Sequence, residues 1–318
     1  MIPAYNRAAY TREALESVLA QDAGVERMQI EVVDDCSTDE VEEVVAALGQ
    51  GRVDFFRQAE NVGSARNFST CLRRARGELV HLLHSDDGVL PGFYETLGRP
   101  FETRPELGAA FCRYRVLDAD GNRLHLGELE QEQPGILDGW LSRIALGQRL
   151  QTPCMVVRRS VYEQLGGFDE RVKYCEDWEM WVRIAARYPV WYEPEALALY
   201  RVHTVSISGS NRRTGVDVAD LRRGIELNRQ HLPREEQAAL TKRALEIAAI
   251  TALRRGARAL GLGDTATARA QTREALRTAR SAKVAWYLLR YGLRGLRYWG
   301  AHELRRLLGP RHDTTTPG

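Results

Sequence analysis

Residues 29–35 read QIEVVDD and residues 78–87 read ELVHLLHSDD. Each is a short apolar run that closes on two adjacent acids. Runs of this length, rich in Val, Ile and Leu, fit strands buried on both faces, as strands of a parallel sheet are beneath their helices. A third run, RVDFF at 52–56, lies between them. Helical periodicity fills the gaps, first over 11–21, where Ala14, Leu15, Val18 and Leu19 share a face, then over 40–48 and 67–76. Strand, helix, strand, helix, strand predicts an α/β fold with a mostly parallel sheet.

Working outward, Pro91 suits a first helical turn, where its missing N–H costs nothing. Residues 107–118 predict a strand, and DADGN at 118–122 predicts a hairpin turn. Residues 136–146 predict a helix, 154–159 a strand, and 161–169 a short helix broken by two glycines. Over 176–188 the spacing puts Trp178, Trp181, Val182 and Ala185 on one helical face. Residues 190–203 return to extended structure. Beyond about 215 the strand signal stops, and 216–230, 234–260, 264–280 and 283–308 predict helices. The tail 311–318 predicts disorder.

The chain divides by charge as well. Its 318 residues carry a formal net charge of +2. Residues 1–210 hold 23 basic and 33 acidic residues, and 211–318 hold 22 and 10. Two regions are therefore expected, 1–210 and a basic helical 211–318, with different partners. Five scattered cysteines without a CxxC pair fit reduced thiols better than a disulfide or zinc framework. MIPAYNRAAY does not read as a secretory signal, and no run is apolar enough to span a bilayer, so the cytoplasm is the default location. No nucleic-acid module is recognisable.

Ligands of open parallel sheets bind beyond the carboxyl ends of the strands. Asp34 with Asp35, and Asp86 with Asp87, both fall there. Acids at such positions often cap helices and turns. Two converging pairs also suit a divalent cation held with a nucleotide phosphate, and hard oxygen ligands favour Mg²⁺ or Mn²⁺.

IPAYNR (2–7), VVDDCSTD (32–39), NVGSARN (61–67), HLLHSDD (81–87), GGFDER (166–171), EDWEMWVR (176–183) and YRVHTVSIS (200–208) occur in one order. In that order they resemble the inverting family-2 glycosyltransferases of the GT-A fold, a Rossmann-like nucleotide-diphospho-sugar transferase architecture. The resemblance covers about residues 1–210. It implies a nucleotide-sugar site of Pro3, Ala4, Tyr5, Asn6, Asp34, Asp35, Arg66, Ser85, Asp86 and Arg201. It implies metal ligands Asp86, Asp87 and His203, with His84 standing where the family's first motif carboxylate usually is. Asp177 matches the catalytic base, beside Glu176, and Gly166, Gly167, Phe168 and Trp178 lie on the acceptor side. Ser206 belongs to the segment that closes over the diphosphate. Relatives carry more apolar residues before Ile-Pro-x-Tyr-Asn, so the first strand is expected to be short here or the true start to lie upstream.

The resemblance implies a sugar-nucleotide donor and a glycan, lipid-linked or small-molecule acceptor in polysaccharide biosynthesis. Residues 283–308 place Trp286, Leu289, Leu293, Leu296 and Trp299 among Arg290, Arg294 and Arg297. Such a basic amphipathic helix fits the anionic inner face of the plasma membrane, or equally a packing surface with a solvated Arg face. Two rival readings are a non-catalytic sugar-nucleotide-binding scaffold, favoured by His84, and a nucleotidyltransferase. The second lacks its Gly-rich phosphate loop.

Overall fold

A computed structural model describes residues 1–203, 213–293 and 295. The chain forms two compact units, Met1–Thr204 with Leu227–Gln237, and Val205–Glu226 with Ala238–Gly318.

The first unit begins with the predicted alternation: β1 (Ile2–Ala4), α1 (Ala8–Leu19), β2 (Glu31–Asp34), α2 (Val41–Gly49), β3 (Asp54–Arg57) and α3 (Ser64–Arg74). The strands pair in parallel in the order β1-β2-β3, with Ile2 opposite Val32 and Val32 opposite Phe55. Every residue of β2 is buried: Val32 and Val33 are apolar, and the buried Glu31 and Asp34 carboxylates are paired with Arg74 and Arg57. α1 buries Thr11, Ala14, Leu15 and Val18. α3 is held to β2 where the Asn67 amide donates to Val33 O at 2.8 Å.

The elements that follow are β4 (Leu79–His81), β5 (Gly88–Val89), α4 (Phe93–Thr103), β6 (Ala109–Leu117), β7 (Arg123–Leu126), β8 (Gly135–Ile136) and α5 (Trp140–Ile144). A 3₁₀ turn (Thr152–Cys154), β9 (Met155–Arg158), α6 (Arg159–Leu165), α7 (Glu176–Ala185) and β10 (Val190–Arg201) complete the series. Here the sheet is mixed. Its path is β4-β9-β6-β10-β5, with only β6 and β10 parallel, while β7 pairs with β6 and β8 with β10. The parallel pattern predicted from the first half stops at β3. The hairpin between β6 and β7 turns where predicted, and Asp118 Oδ1 accepts from Asp120 N and Asn122 N. The helix predicted over 136–146 shrinks to α5. Gly139 at φ +61° takes the chain out of helical conformation just before it.

Met1 links the two sheets. Its amino group donates to His81 O at 2.9 Å, and its carbonyl accepts from Leu83 N at 3.0 Å. β1 is as short as expected, yet fully buried. Trp178 and Trp181 on α7 are fully buried with Phe111 and Tyr192 in the core. Truncating such an aromatic to Ala typically costs about 3–5 kcal/mol.

The helices that follow are α8 (Val216–Arg229), α9 (Arg234–Gly261), α10 (Thr265–Thr278) and one over 282–293; the second unit takes them up to Glu226 and from Ala238 onward. Its core joins Val218, Ala249, Ala252, Leu253, Ala275 and Val284, with Tyr287, Leu288 and Tyr291 against it. Buried Asp217 is matched by Arg255 at 2.7 Å and Gln271 at 2.8 Å. Asp264 caps α10 by accepting from Thr267 N. Trp286, Leu289 and Leu293 remain exposed. Among the described residues no helix is long and apolar enough to cross a membrane. Ser206, Arg294 and residues 296–318, including Leu296, Arg297, Trp299 and the tail, lie outside the described residues.

Candidate active site

The first acidic pair sits at the end of β2. Asp34 is fully buried and accepts from Arg57 Nε at 2.7 Å, from Ser37 N at 3.1 Å and from the Ser37 hydroxyl. Asp35 takes the consecutive N–H groups of Val62 and Gly63, one on each oxygen, at 2.8 and 2.9 Å. Burial raises its pKa and these two bonds oppose the rise. Asn6, at φ +49°, accepts from Thr38 N at 2.7 Å through its side chain, while its own N–H donates to Ser37 Oγ. The 2–7 and 34–39 segments are thus stitched together around the strand ends. Pro3 and Ala4 are buried strand residues, and Tyr5 stands 46% exposed beside them. Arg66 is exposed, and its Nε donates to Glu170 at 3.2 Å, reaching the segment after Gly167.

The second pair occupies the turn between β4 and β5. Asp86 Oδ2 accepts from Arg7 Nη1 at 2.7 Å and pairs with His203 Nε2 at 3.0 Å. Burial pushes the Asp86 pKa up, but the His203 bond and the Arg7 charge outweigh it and hold the carboxyl below its usual range. Asp87 Oδ1 accepts from Arg201 N at 2.9 Å. Its Oδ2 and the Nε2 of His84 are buried without a hydrogen-bond partner. Burial, then the Asp86 charge, raises Asp87 well above the ordinary carboxylate value. Burial lowers His84, which favours the neutral ring. Ligand atoms of His84, Asp86 and Asp87 lie within 4.8 Å of one another. His84 Nδ1 stands 3.7 Å from Asp87 Oδ2, and an unbonded buried carboxylate oxygen beside a ring nitrogen and a second carboxylate fits a divalent cation, because a metal ligand needs a free lone pair. The His84 ring stacks on Phe68 at 5.0 Å. Ser85 is buried in the same turn. The Arg201 guanidinium serves Glu13, Asp86 O and Ala119 O, so only its backbone N–H hydrogen-bonds a carboxylate oxygen of the acid pair.

A third acid opens α7. Asp177 follows buried Glu176, and its Oδ2 accepts from Gln148 at 2.6 Å and Thr152 Oγ1 at 3.2 Å. Its Oδ1 accepts from Trp178 N at 2.7 Å. Burial lifts its pKa to about 6 in spite of these bonds. Burial first, then the charges of Asp87, Asp177, Tyr174 and Asp86, pushes the Tyr200 hydroxyl pKa up.

Two acceptor-side expectations change. Trp178 is fully buried and donates from Nε1 to Ile144 O at 2.7 Å, so it anchors α7 in the core. Phe168 is buried between Phe68, Tyr162 and Trp181. Both rings are too apolar to spend on solvent where a core is available. Gly166 takes φ +81° after α6, and Gly167 sits where a Cβ would meet Ser69 Oγ at 3.3 Å. Arg7, Gln148 and Thr152 carried no sequence-based expectation of their own, whereas Tyr200 belongs to the segment expected to close over the diphosphate. Arg7 lies inside the quoted IPAYNR, whereas Gln148 and Thr152 have no local signal.

Residues 1–166 match the model of glycosyl transferase family 2. The succinoglycan biosynthesis protein ExoO of Rhizobium meliloti is 30% identical over 229 residues, which cover 68% of this chain and 64% of that protein. The chain spans 63–66% of the length of three further curated relatives from Mycobacterium tuberculosis and two Rickettsia species, a little under two thirds. Among solved structures, S. aureus TarS 1–349 in complex with UDP-GlcNAc superposes with a TM-score of 0.64 at 16% identity, over 98% of this chain and 92% of that one. The mannosyltransferase PcManGT of Pyrobaculum calidifontis, in complex with GDP-Man and Mn²⁺, gives 0.56 at 18% identity, over 95% and 86%. The fold is the α/β GT-A fold with a helical C-terminal region.

Proposed function

Because this chain belongs to glycosyl transferase family 2 and is an enzyme of the glycosyltransferase class, we propose that it performs an inverting transfer from a nucleotide-diphosphate sugar. The observation that carries this reading is the division of labour among its acids. Asp177 is raised to about 6 by burial, whereas Asp86 is held low by His203 and Arg7. One group is tuned to take a proton near neutrality and the other to stay charged.

Asp177 accepts the proton of the acceptor hydroxyl as that oxygen bonds to the anomeric carbon. The bond from that carbon to the diphosphate oxygen breaks, and the nucleoside diphosphate leaves with the electron pair. Gln148 and Thr152 orient the Asp177 carboxylate, and Glu176 stands behind it at the start of α7. Asp86 and Asp87, with His84 and His203, would hold Mg²⁺ or Mn²⁺. When bound, that ion neutralises charge on the leaving diphosphate. Tyr5, Asn6, Asp34, Asp35, Arg66, Ser85 and Arg201 form the nucleotide side with Pro3 and Ala4, and Gly166 and Gly167 the acceptor side. The donors bound by TarS and PcManGT support a nucleotide sugar. ExoO supports a place in polysaccharide biosynthesis.

Residues 1–210 are the transfer domain in this reading, and 211–318 a basic helical appendage. The acceptor is a growing glycan or lipid-linked saccharide, met from the cytoplasm at the inner membrane face. The exposed Trp286, Leu289 and Leu293, with Arg290 over the Trp286 ring, support that peripheral seat. Incubation with a panel of sugar nucleotides and Mn²⁺, with and without acceptor, tests the reading through nucleoside diphosphate release. Binding of a donor without release, whatever the acceptor, overturns it in favour of a scaffold.

A further inference from the structure

Arg7 is the N-cap of α1, and its carbonyl already serves the helix by accepting from Thr11 N at 2.8 Å. Its guanidinium is a separate matter. It crosses to Asp86 Oδ2 at 2.7 Å, and Asp86 is the one acid it pairs with among the described residues. The neighbouring guanidinium, Arg201, stands 5.0 Å from the Tyr10 ring centroid and spends its charge on Glu13. Arg7 stands 6.0 Å from the same centroid, on the acid pair itself. His203 packs edge-on against Tyr10 at 4.9 Å and bonds the same Asp86 oxygen as Arg7. Both lone pairs of that oxygen are therefore engaged by cationic or proton-donating groups of the chain.

We propose that Arg7 is a resident counter-cation of the Asp86–Asp87 pair, a positioning residue that weakens binding of a bare divalent ion and ties tight metal binding to arrival of the donor diphosphate. The inference rests on the metal role given above to Asp86 and Asp87. A divalent ion ligated by Asp86 must either displace Arg7 or share the carboxylate with it. Either way a fixed positive charge opposes the ion at close range, in a half-buried site where screening is weaker than at the open surface. A diphosphate reverses the balance, because its oxygens offer Arg7 a new partner while supplying the ion with further ligands. Metal and nucleotide then bind with positive coupling, and the coupling is reciprocal.

The test is titration of Mn²⁺ alone, followed by the loss of the free-ion electron paramagnetic resonance signal, on the full chain and on Arg7→Gln. The titration is repeated with UDP and with GDP. Arg7→Gln is expected to bind Mn²⁺ alone about tenfold more tightly (about 1.4 kcal/mol). The further tightening produced by nucleoside diphosphate shrinks in the variant. Arg7→Lys keeps the charge and stays near the wild-type affinity. Arg7→Met, a second neutral variant, guards against a folding failure of the first, with thermal melts on each. A neutral variant that folds and binds Mn²⁺ no more tightly than wild type overturns the proposal. If no form of the protein takes up Mn²⁺ with or without nucleotide, the metal reading itself falls and the role of Arg7 with it.

Discussion

At the end of β2, Asp34 and Asp35 give their oxygens to Arg57, Ser37, Val62 and Gly63. In the turn after β4, Asp87 keeps one buried oxygen without a hydrogen bond, 3.7 Å from His84 Nδ1, and His84 keeps a buried Nε2 without one. The two pairs are the same dipeptide at the same kind of place in the chain. The first has its lone pairs filled by its own backbone and a basic side chain, so it ties loops to strands. The second leaves lone pairs unfilled in a buried place, which costs stability unless a ligand takes them. A buried acid is thus read by what satisfies it rather than by its position. Asp177 is a third case, hydrogen-bonded yet raised toward neutrality.

The largest effect expected from this division is at Asp177. Asp177→Asn keeps size and most hydrogen bonds but takes no proton, so turnover should fall about 10²–10⁴-fold. Donor affinity, measured by calorimetry, should stay close to wild type. Normal turnover in this variant with a dead Glu176→Gln would swap the two roles.

Next comes a paired substitution that sets one acid pair against the other. Asp87→Asn should lose at least about tenfold in Mn²⁺ affinity without a lower melting temperature. Asp35→Asn should lose about 1–3 kcal/mol of stability, because it disturbs two buried backbone bonds, and leave Mn²⁺ binding unchanged. If both variants melt alike and bind metal alike, the contrast between the pairs is broken.

Acidity gives a smaller, directional effect. Burial lifts Asp177 to about 6 in the fold, from 3.8 for a free aspartate. Between those values the folded chain holds a proton that the unfolded chain has released. The stability this group contributes is therefore full below the lower value and lost as pH rises through the upper one. Asp177→Asn should gain in melting temperature relative to wild type on going from pH 4 to pH 7. Wild-type turnover should fall about tenfold per unit below pH 6. A difference in melting temperature that does not change with pH would show that Asp177 has an ordinary pKa.

The smallest expected effect lies in the second unit. Trp286→Ser with Leu289→Ser removes exposed apolar area and one edge contact to Tyr287, and leaves Val284 and the packed Leu288 in place. Binding to anionic vesicles should weaken a few-fold in sedimentation and weaken further with salt. Equal binding by the variant would make that helix face a solvated surface.

The early strands and helices of the first unit were legible because short apolar cores such as Val32–Val33 alternate with helical periodicity. Pairing direction was not. β4 and β9 carry the same kind of run as β2 yet pair antiparallel, since a strand's composition reports burial and not its neighbour's direction. Asp86, Asp87 and His203 were legible from their motifs and meet in space. Gln148 and Thr152 were not, because they reach Asp177 across 29 and 25 residues from segments without a pattern of their own. Trp178 and Phe168 show the opposite failure, in which a large aromatic beside a motif belongs to the core.

β10 has a consequence for the order of events during synthesis. It lies between β6 and β5, and its last residue supplies the N–H that holds Asp87. Asp86 and His203 are 117 residues apart, and Glu13 and Arg201 are 188 apart. A nascent chain can pair β1 to β3 as soon as they emerge, since N-terminal segments fold first. It cannot close the acid pair until residue 203 has left the ribosome. Contacts of such long sequence separation form late and slowly. A nascent chain that has paired β1 to β3 therefore still lacks the groups that complete the acid cluster, and truncation before β10 is expected to leave Asp86 without His203 and Asp87 without the Arg201 N–H.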